Sequence, residues 1–139
     1  MVSKALLAEF ITAKKRSKPF KALGSEHMNK PCPVIPSNLT SSALQSLEFQ
    51  MDAFCLRERD LLNRFAMEVS QRQKQGESKE YSVLLFQSYQ PAEDLGRAFS
   101  DRSILQTFID VEATVPVGSL KLRVTVTDLV KICLCHLYG

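Results

Sequence analysis

An α+β fold, a small antiparallel sheet packed on helices, is predicted by three features of the 139-residue sequence. A helical stripe of apolar residues runs from Leu44 to Val69, a continuous apolar run fills Tyr81–Tyr89, and residues 109–127 alternate between apolar and polar. A basic, loosely ordered arm over residues 1–36 precedes a single domain over 37–139, which includes a long helix over 43–75. The size suits one core, and 45% hydrophobic with 24% charged residues excludes full-length disorder, collagen and a disulfide mini-scaffold.

In the arm, Pro19, Pro31, Pro33 and Pro36 remove amide donors and push their neighbours toward extended backbone. Leu6, Leu7, Phe10 and Ile11 can line a short helix, but few apolar residues follow to hold it, so the arm is expected to order on a partner.

The long helix opens on Ser42 and Gln45, which have capping-box spacing, and stops at Gly76. Leu44, Leu47, Met51, Phe54, Leu61, Phe65 and Val69 recur at three-, four- and seven-residue steps between them. At 1.5 Å per residue the helix is roughly 50 Å long, more than a domain of this size covers alone. Glu58 falls on the apolar stripe and marks a break or a register-setting polar contact.

Tyr81–Tyr89 reads as a central strand. Pro91 suits the first turn of a short helix with Ala92, Leu95 and Phe99, and Ser100 a cap for a second with Ile104, Leu105 and Phe108. A hairpin follows: Ile109, Val111, Ala113 and Val115 alternate with polar residues, Pro116–Ser119 turns, and Leu120, Leu122, Val124 and Val126 alternate again. Thr127 caps a final helix with Leu129, Ile132, Cys133 and Leu137 inward, the alternative being a third strand over 129–134.

Charge is uneven. Seven lysines and arginines against Glu9 and Glu26 give residues 1–36 a net +5, and the rest carries −2. Within the arm, Lys14, Lys15, Arg16, Lys18 and Lys21 fit a nuclear import signal or a polyanion-binding patch. A basic amphipathic mitochondrial leader over residues 1–18 and a cytoplasmic protein are the alternatives to a nuclear one. No secretory leader and no membrane span are expected, so Cys32, Cys55, Cys133 and Cys135 read as reduced thiols and the sequon at Asn38 as chance.

No catalytic constellation is legible. His27 lies in the arm, His136 is the fourth residue from the end, and the isolated glycines form neither G-x-G-x-x-G nor a P-loop. His27, Cys32, Cys133, Cys135 and His136 are soft metal ligands without a C-x-x-C knuckle, and buried reduced cysteines are the preferred reading. The sequence therefore predicts a non-enzyme without cofactor or metal.

Two resemblances bear on partners. Lys4-x-x-Leu7-x-x-Phe10-Ile11, followed by the basic cluster, resembles the peptide that docks on DNA sliding clamps, with lysine for the usual glutamine and isoleucine for the second aromatic. The order strand, helix, helix, strand, strand, helix over 81–138 resembles a KH-type nucleic-acid module, whose G-x-x-G loop is reduced here to Gly96 between Leu95 and Arg97. That resemblance implies phosphate contacts at Arg97 and Arg102, opposed by Glu93, Asp94 and Asp101.

The function expected from these readings is a nuclear adaptor or subunit of a multiprotein complex. Leu44, Leu47, Met51, Phe54, Leu61 and Phe65 would bind a protein partner, as a hetero-oligomer or a homodimer. A nucleic-acid-binding protein using the basic arm and a KH-like body is the alternative.

Overall fold

The computed structural model describes residues 2–21, 24–76 and 90–114. Four α-helices are found there: α1 (Val2–Arg16), α2 (Ser41–Leu44), α3 (Leu47–Lys74) and α4 (Gln90–Thr114). A 3-10 turn (Ser25–Asn29) lies between α1 and α2. Among the described residues there is no strand, so the α+β expectation gives way to an all-helical arrangement.

The N-terminal stretch is a folded helix and not a loose arm. Leu6, Leu7, Phe10 and Ala13 are all buried and fall on one side of α1. Four apolar residues hold the helix because α3 and α4 supply the opposing surface. The helix ends where Ser17 turns left-handed at φ 49° and the Lys18 N–H donates to the Ala13 carbonyl at 3.1 Å. This is the Schellman closure, and it satisfies a carbonyl the helix would leave open. Lys14, Lys15 and Arg16 in the last turn face the negative end of the helix dipole.

The long helix starts at Leu47, four residues later than the expected start at 43. The Thr40 hydroxyl accepts from the Ala43 N–H at 3.2 Å and caps the one-turn α2. The backbone breaks at Gln45–Ser46, and the Gln50 side-chain amide donates back to the Leu44 carbonyl at 3.0 Å. From Leu47, α3 runs unbroken through Glu58 for 28 residues and ends at Lys74, with Gly76 beyond it at φ 92°.

Helix α4 absorbs two short helices and the first arm of the expected hairpin. The Ser100 hydroxyl donates to the Gly96 carbonyl within the helix and does not cap a new one. Leu105, Phe108 and Ile109 follow helical spacing against α3, and the helix continues past 109 because no breaker interrupts it. The alternation of 109–113 is a local coincidence: Val111, assigned to the buried face of a sheet, is 47% exposed. The strand at 81–89, the second hairpin arm at 120–127 and the helix or strand after 127 lie outside the described residues.

Helices α3 and α4 run antiparallel. The end of α3, with Leu62, Phe65 and Val69, meets the start of α4 at Ala92 and Leu95, and α1 adds Leu6, Leu7 and Phe10 to the same cluster. The other end of the α3–α4 pair holds a smaller cluster of Phe54 and Leu105, flanked by Leu47, Met51, Phe108 and Ile109. Helix α1 is fastened to α4 by the Ser3 hydroxyl, which donates to the Ala92 carbonyl at 2.6 Å. A side chain at Gly96 would place its Cβ 3.4 Å from Ser3 Oγ, at the near edge of ordinary contact, so the helices leave room there for little more than a methyl group.

Candidate functional site

A polar node sits between the two apolar clusters. Glu58 projects from the middle of α3 into the interior, where its side chain is fully buried. Burying a carboxylate there is costly unless it is paired. Arg102, on the facing turn of α4, supplies the partner: its Nε donates to Glu58 Oε2 at 2.6 Å and one terminal nitrogen to Oε1 at 3.3 Å. The guanidinium lies 5.3 Å from the centre of the Phe99 ring. A second ion pair, Arg57 to Asp101 at 3.0 Å, runs beside it on the same two helices.

The 3-10 turn closes the node from a third side. Gly24, at φ 65°, brings the chain in beside Arg102, and Ser25 is buried with no partner for its hydroxyl. The Nε2 of His27 is 3.5 Å from Glu58 Oε2, yet neither ring nitrogen has a partner in hydrogen-bonding geometry. Burial pushes the imidazole below its ordinary pKa of 6.5. The Glu58 carboxylate works against that shift, and the Arg102 guanidinium works with it. Arg59 anchors the turn to α3, one of its terminal nitrogens donating to the carbonyls of His27, Met28 and Lys30 at 3.1, 3.2 and 2.9 Å. Asn29 pairs with the Phe20 backbone in both directions, at 2.7 and 2.8 Å.

Cys55, three residues before Glu58 on α3, is a buried thiol. Burial raises its pKa above 9.0, with Glu58 reinforcing the effect and Arg102 opposing it. Cys32 is exposed, whereas Cys133, Cys135 and His136 lie outside the described residues. Among the described residues no three His, Cys, Asp or Glu side chains gather as a metal-binding set. No described helix is long and apolar enough to cross a membrane.

The six residues expected to meet a partner are placed mostly against the chain's own helices. Phe54 and Phe65 are buried, Leu61 packs on the larger cluster, and Leu47 and Met51 pack on the smaller one. Leu44 alone of the six is exposed, at 47%.

The basic residues are not an extended peptide. Lys14, Lys15 and Arg16 belong to α1, with the Lys14 ammonium 4.7 Å from the Phe10 ring centre. Lys18 closes that helix, and the Lys21 N–H donates to a Glu9 carboxylate oxygen at 2.8 Å. Leu7 and Phe10, the plug of the clamp-like peptide, are buried inside the molecule. The KH-like reading fails at the same point as the sheet: its two short helices are one, and Arg102 is buried against Glu58 instead of facing a phosphate.

Reasoning from the sequence flagged Glu58 and missed its partner. A usable signal was present: Leu95, Ala98, Arg102 and Leu105 share one helical face, so an arginine interrupts the apolar stripe of α4 as Glu58 interrupts that of α3. Nothing in the sequence announced the Arg59 anchor, which donates to backbone carbonyls.

Comparison with known proteins adds what the geometry alone does not. The chain is similar to acyl-coenzyme A oxidase 3, peroxisomal, of Arabidopsis thaliana, with 60% identity over 120 residues, 86% of this chain and 18% of the relative. Two further Arabidopsis thaliana proteins, provisionally named as acyl-coenzyme A oxidases, are 56% identical over 121 and 93 residues. These matches cover 87% and 67% of this chain and 18% and 49% of the relatives. The chain thus spans about a fifth of the length of the first two. No family model and no solved structure matches it.

These relatives overturn four expectations. Their names are those of an enzyme, which replaces the non-enzymatic adaptor and the reading of the chain as unrelated to catalysis. Two of the names are peroxisomal, which conflicts with a nuclear protein and with nucleic-acid binding. Composition carries no trace of this, because the helices that match are ordinary amphipathic helices.

Proposed function

We propose that this chain is a helical segment of an acyl-coenzyme A oxidase-type protein acting in the peroxisome on acyl-coenzyme A. The single observation that carries this reading is the 60% identity over 86% of the chain with acyl-coenzyme A oxidase 3. A match of 120 residues at that level far exceeds a shared motif.

The described residues suggest a bracing role for the segment. The carboxylate of Glu58 is committed to Arg102 and the thiol of Cys55 is buried and neutral, so neither is presented to a substrate. What the segment offers is a rigid antiparallel pair, α3 and α4, with α1 fixed across it. The chemistry of oxidation would then depend on the much longer remainder that the relatives possess.

A segment exchange tests the proposal. This chain replaces the matching 120 residues of Arabidopsis thaliana acyl-coenzyme A oxidase 3, and oxygen consumption with acyl-coenzyme A is followed. Activity within about tenfold of the parent supports the reading. A chimaera that is folded by circular dichroism but consumes no oxygen overturns it.

A further inference from the structure

We propose that residues 30–36, Lys-Pro-Cys-Pro-Val-Ile-Pro, form a docking peptide for a protein module with an aromatic-lined polyproline groove flanked by acidic residues, the chemistry of SH3-type domains. The backbone of this segment is constrained almost throughout. Pro31, Pro33 and Pro36 fix φ near −65°, and Lys30, Cys32 and Ile35 each precede a proline, which drives them to extended or polyproline II backbone. Only Val34 escapes these constraints. Lys30 adopts φ −79° and ψ 158°, within the polyproline II basin. Residues 31–36 belong to no helix, strand or turn, and 31–39 make no hydrogen bond among the described residues. A polyproline II helix has no internal hydrogen bonds, so an unpaired backbone is its ordinary state.

The side chains fall on three edges. At three residues per turn, Lys30, Pro33 and Pro36 share one edge, Cys32 and Ile35 a second, and Pro31 and Val34 the third. A groove that takes two adjacent edges accepts the pairs Cys32–Pro33 and Ile35–Pro36 in succession, and it meets the Lys30 ammonium one turn before Pro33. Pro31 and Val34 then point to solvent. Lys30 is exposed and joins no ion pair among the described residues, which leaves its charge for an acidic partner.

The fold presents this peptide already ordered. Every residue of 30–36 except Pro33 is exposed, Val34 by 88%. Pro33 is half-buried, and turning it outward breaks no hydrogen bond. Both ends are tied down. An Arg59 terminal nitrogen donates to the Lys30 carbonyl at 2.9 Å, and the Thr40 hydroxyl caps α2. Docking therefore orders little chain, because the prolines and the two anchors have already removed most of its freedom.

NMR titration tests this. The full chain is added to an isotopically labelled SH3 domain selected for basic-x-x-Pro-x-x-Pro peptides, and the amide shifts of that domain are followed. Saturable shifts confined to its aromatic groove are expected. Pro33→Ala and Pro36→Ala should each weaken binding at least about fivefold and Lys30→Glu at least about tenfold, whereas Val34→Ser should stay within about twofold. Circular dichroism of each variant should match the wild type, since the segment lies outside the helices. The absence of saturable shifts at about 1 mM chain overturns the proposal. So does a loss for Val34→Ser as large as that for Pro36→Ala, which marks apolar contact without the three-edge geometry. Binding that survives Pro33→Ala and Pro36→Ala together overturns it as well.

Discussion

Glu58 and Arg102 meet face to face at the centre of the α3–α4 seam, with the Arg102 Nε 2.6 Å from a carboxylate that has no exposure to water. Removing one partner leaves a buried charge without compensation, which typically costs about 3–5 kcal/mol. Arg102→Met is expected to lower the unfolding free energy, measured by urea denaturation, by that amount. Glu58→Met combined with Arg102→Met should recover most of the loss, because two apolar chains fill the same space. Denaturation of the two single variants and the double variant forms the cycle that checks this. Additive losses would show that the pair is not coupled.

The larger apolar cluster should dominate stability. Leu62, buried to 1% exposure, is expected to cost about 2–5 kcal/mol when changed to alanine. Met67, five residues along the same helix and 63% exposed, should cost under about 0.5 kcal/mol. Thermal or urea melts of Leu62→Ala and Met67→Ala measure the contrast.

The α1–α4 contact makes a prediction with two signs. Gly96→Ala places a methyl group at ordinary contact distance from Ser3 Oγ and improves helix propensity, so it should be neutral or stabilising by up to about 1 kcal/mol. Gly96→Val adds branches where the helices already touch, and it should be destabilising by about 1–3 kcal/mol. Melting both variants beside Ser3→Ala, which removes the 2.6 Å bond to Ala92, separates crowding from hydrogen bonding.

Thiol reactivity should divide by depth. Cys32 is exposed and should be alkylated readily at pH 7.5. Cys55 is buried with its pKa raised above 9.0, so the reactive thiolate is scarce and shielded. Peptide mass spectrometry after a timed iodoacetamide pulse should show Cys55 modified at least about tenfold more slowly, with the difference removed in denaturant.

How far the sequence reached can be judged residue by residue. The α3 stripe was legible because burial of Phe54, Phe65 and Val69 imposes the helical period directly on the chain, although Leu62, buried to 1% exposure, was not placed on it. The first hairpin arm misled because Ile109, Val111 and Ala113 satisfy a two-residue period by accident, and only the helix entering from Ser100 decides between the readings. Leu6, Leu7 and Phe10 looked too few to hold a helix because sequence alone does not reveal the surface that α3 and α4 offer them. Glu58 stood out as a charge on an apolar face, whereas its link to Arg102 spans 44 positions and leaves no local pattern.

The geometry at the end of α1 also bears on the five basic residues that first suggested an address signal. Successive helical positions are rotated by about 100°, so Lys14, Lys15 and Arg16 fan out over more than half of the circumference. Lys14 also leans back toward the Phe10 ring. A flat acidic receptor would therefore grip one or two of these cations at a time, never all three in a row.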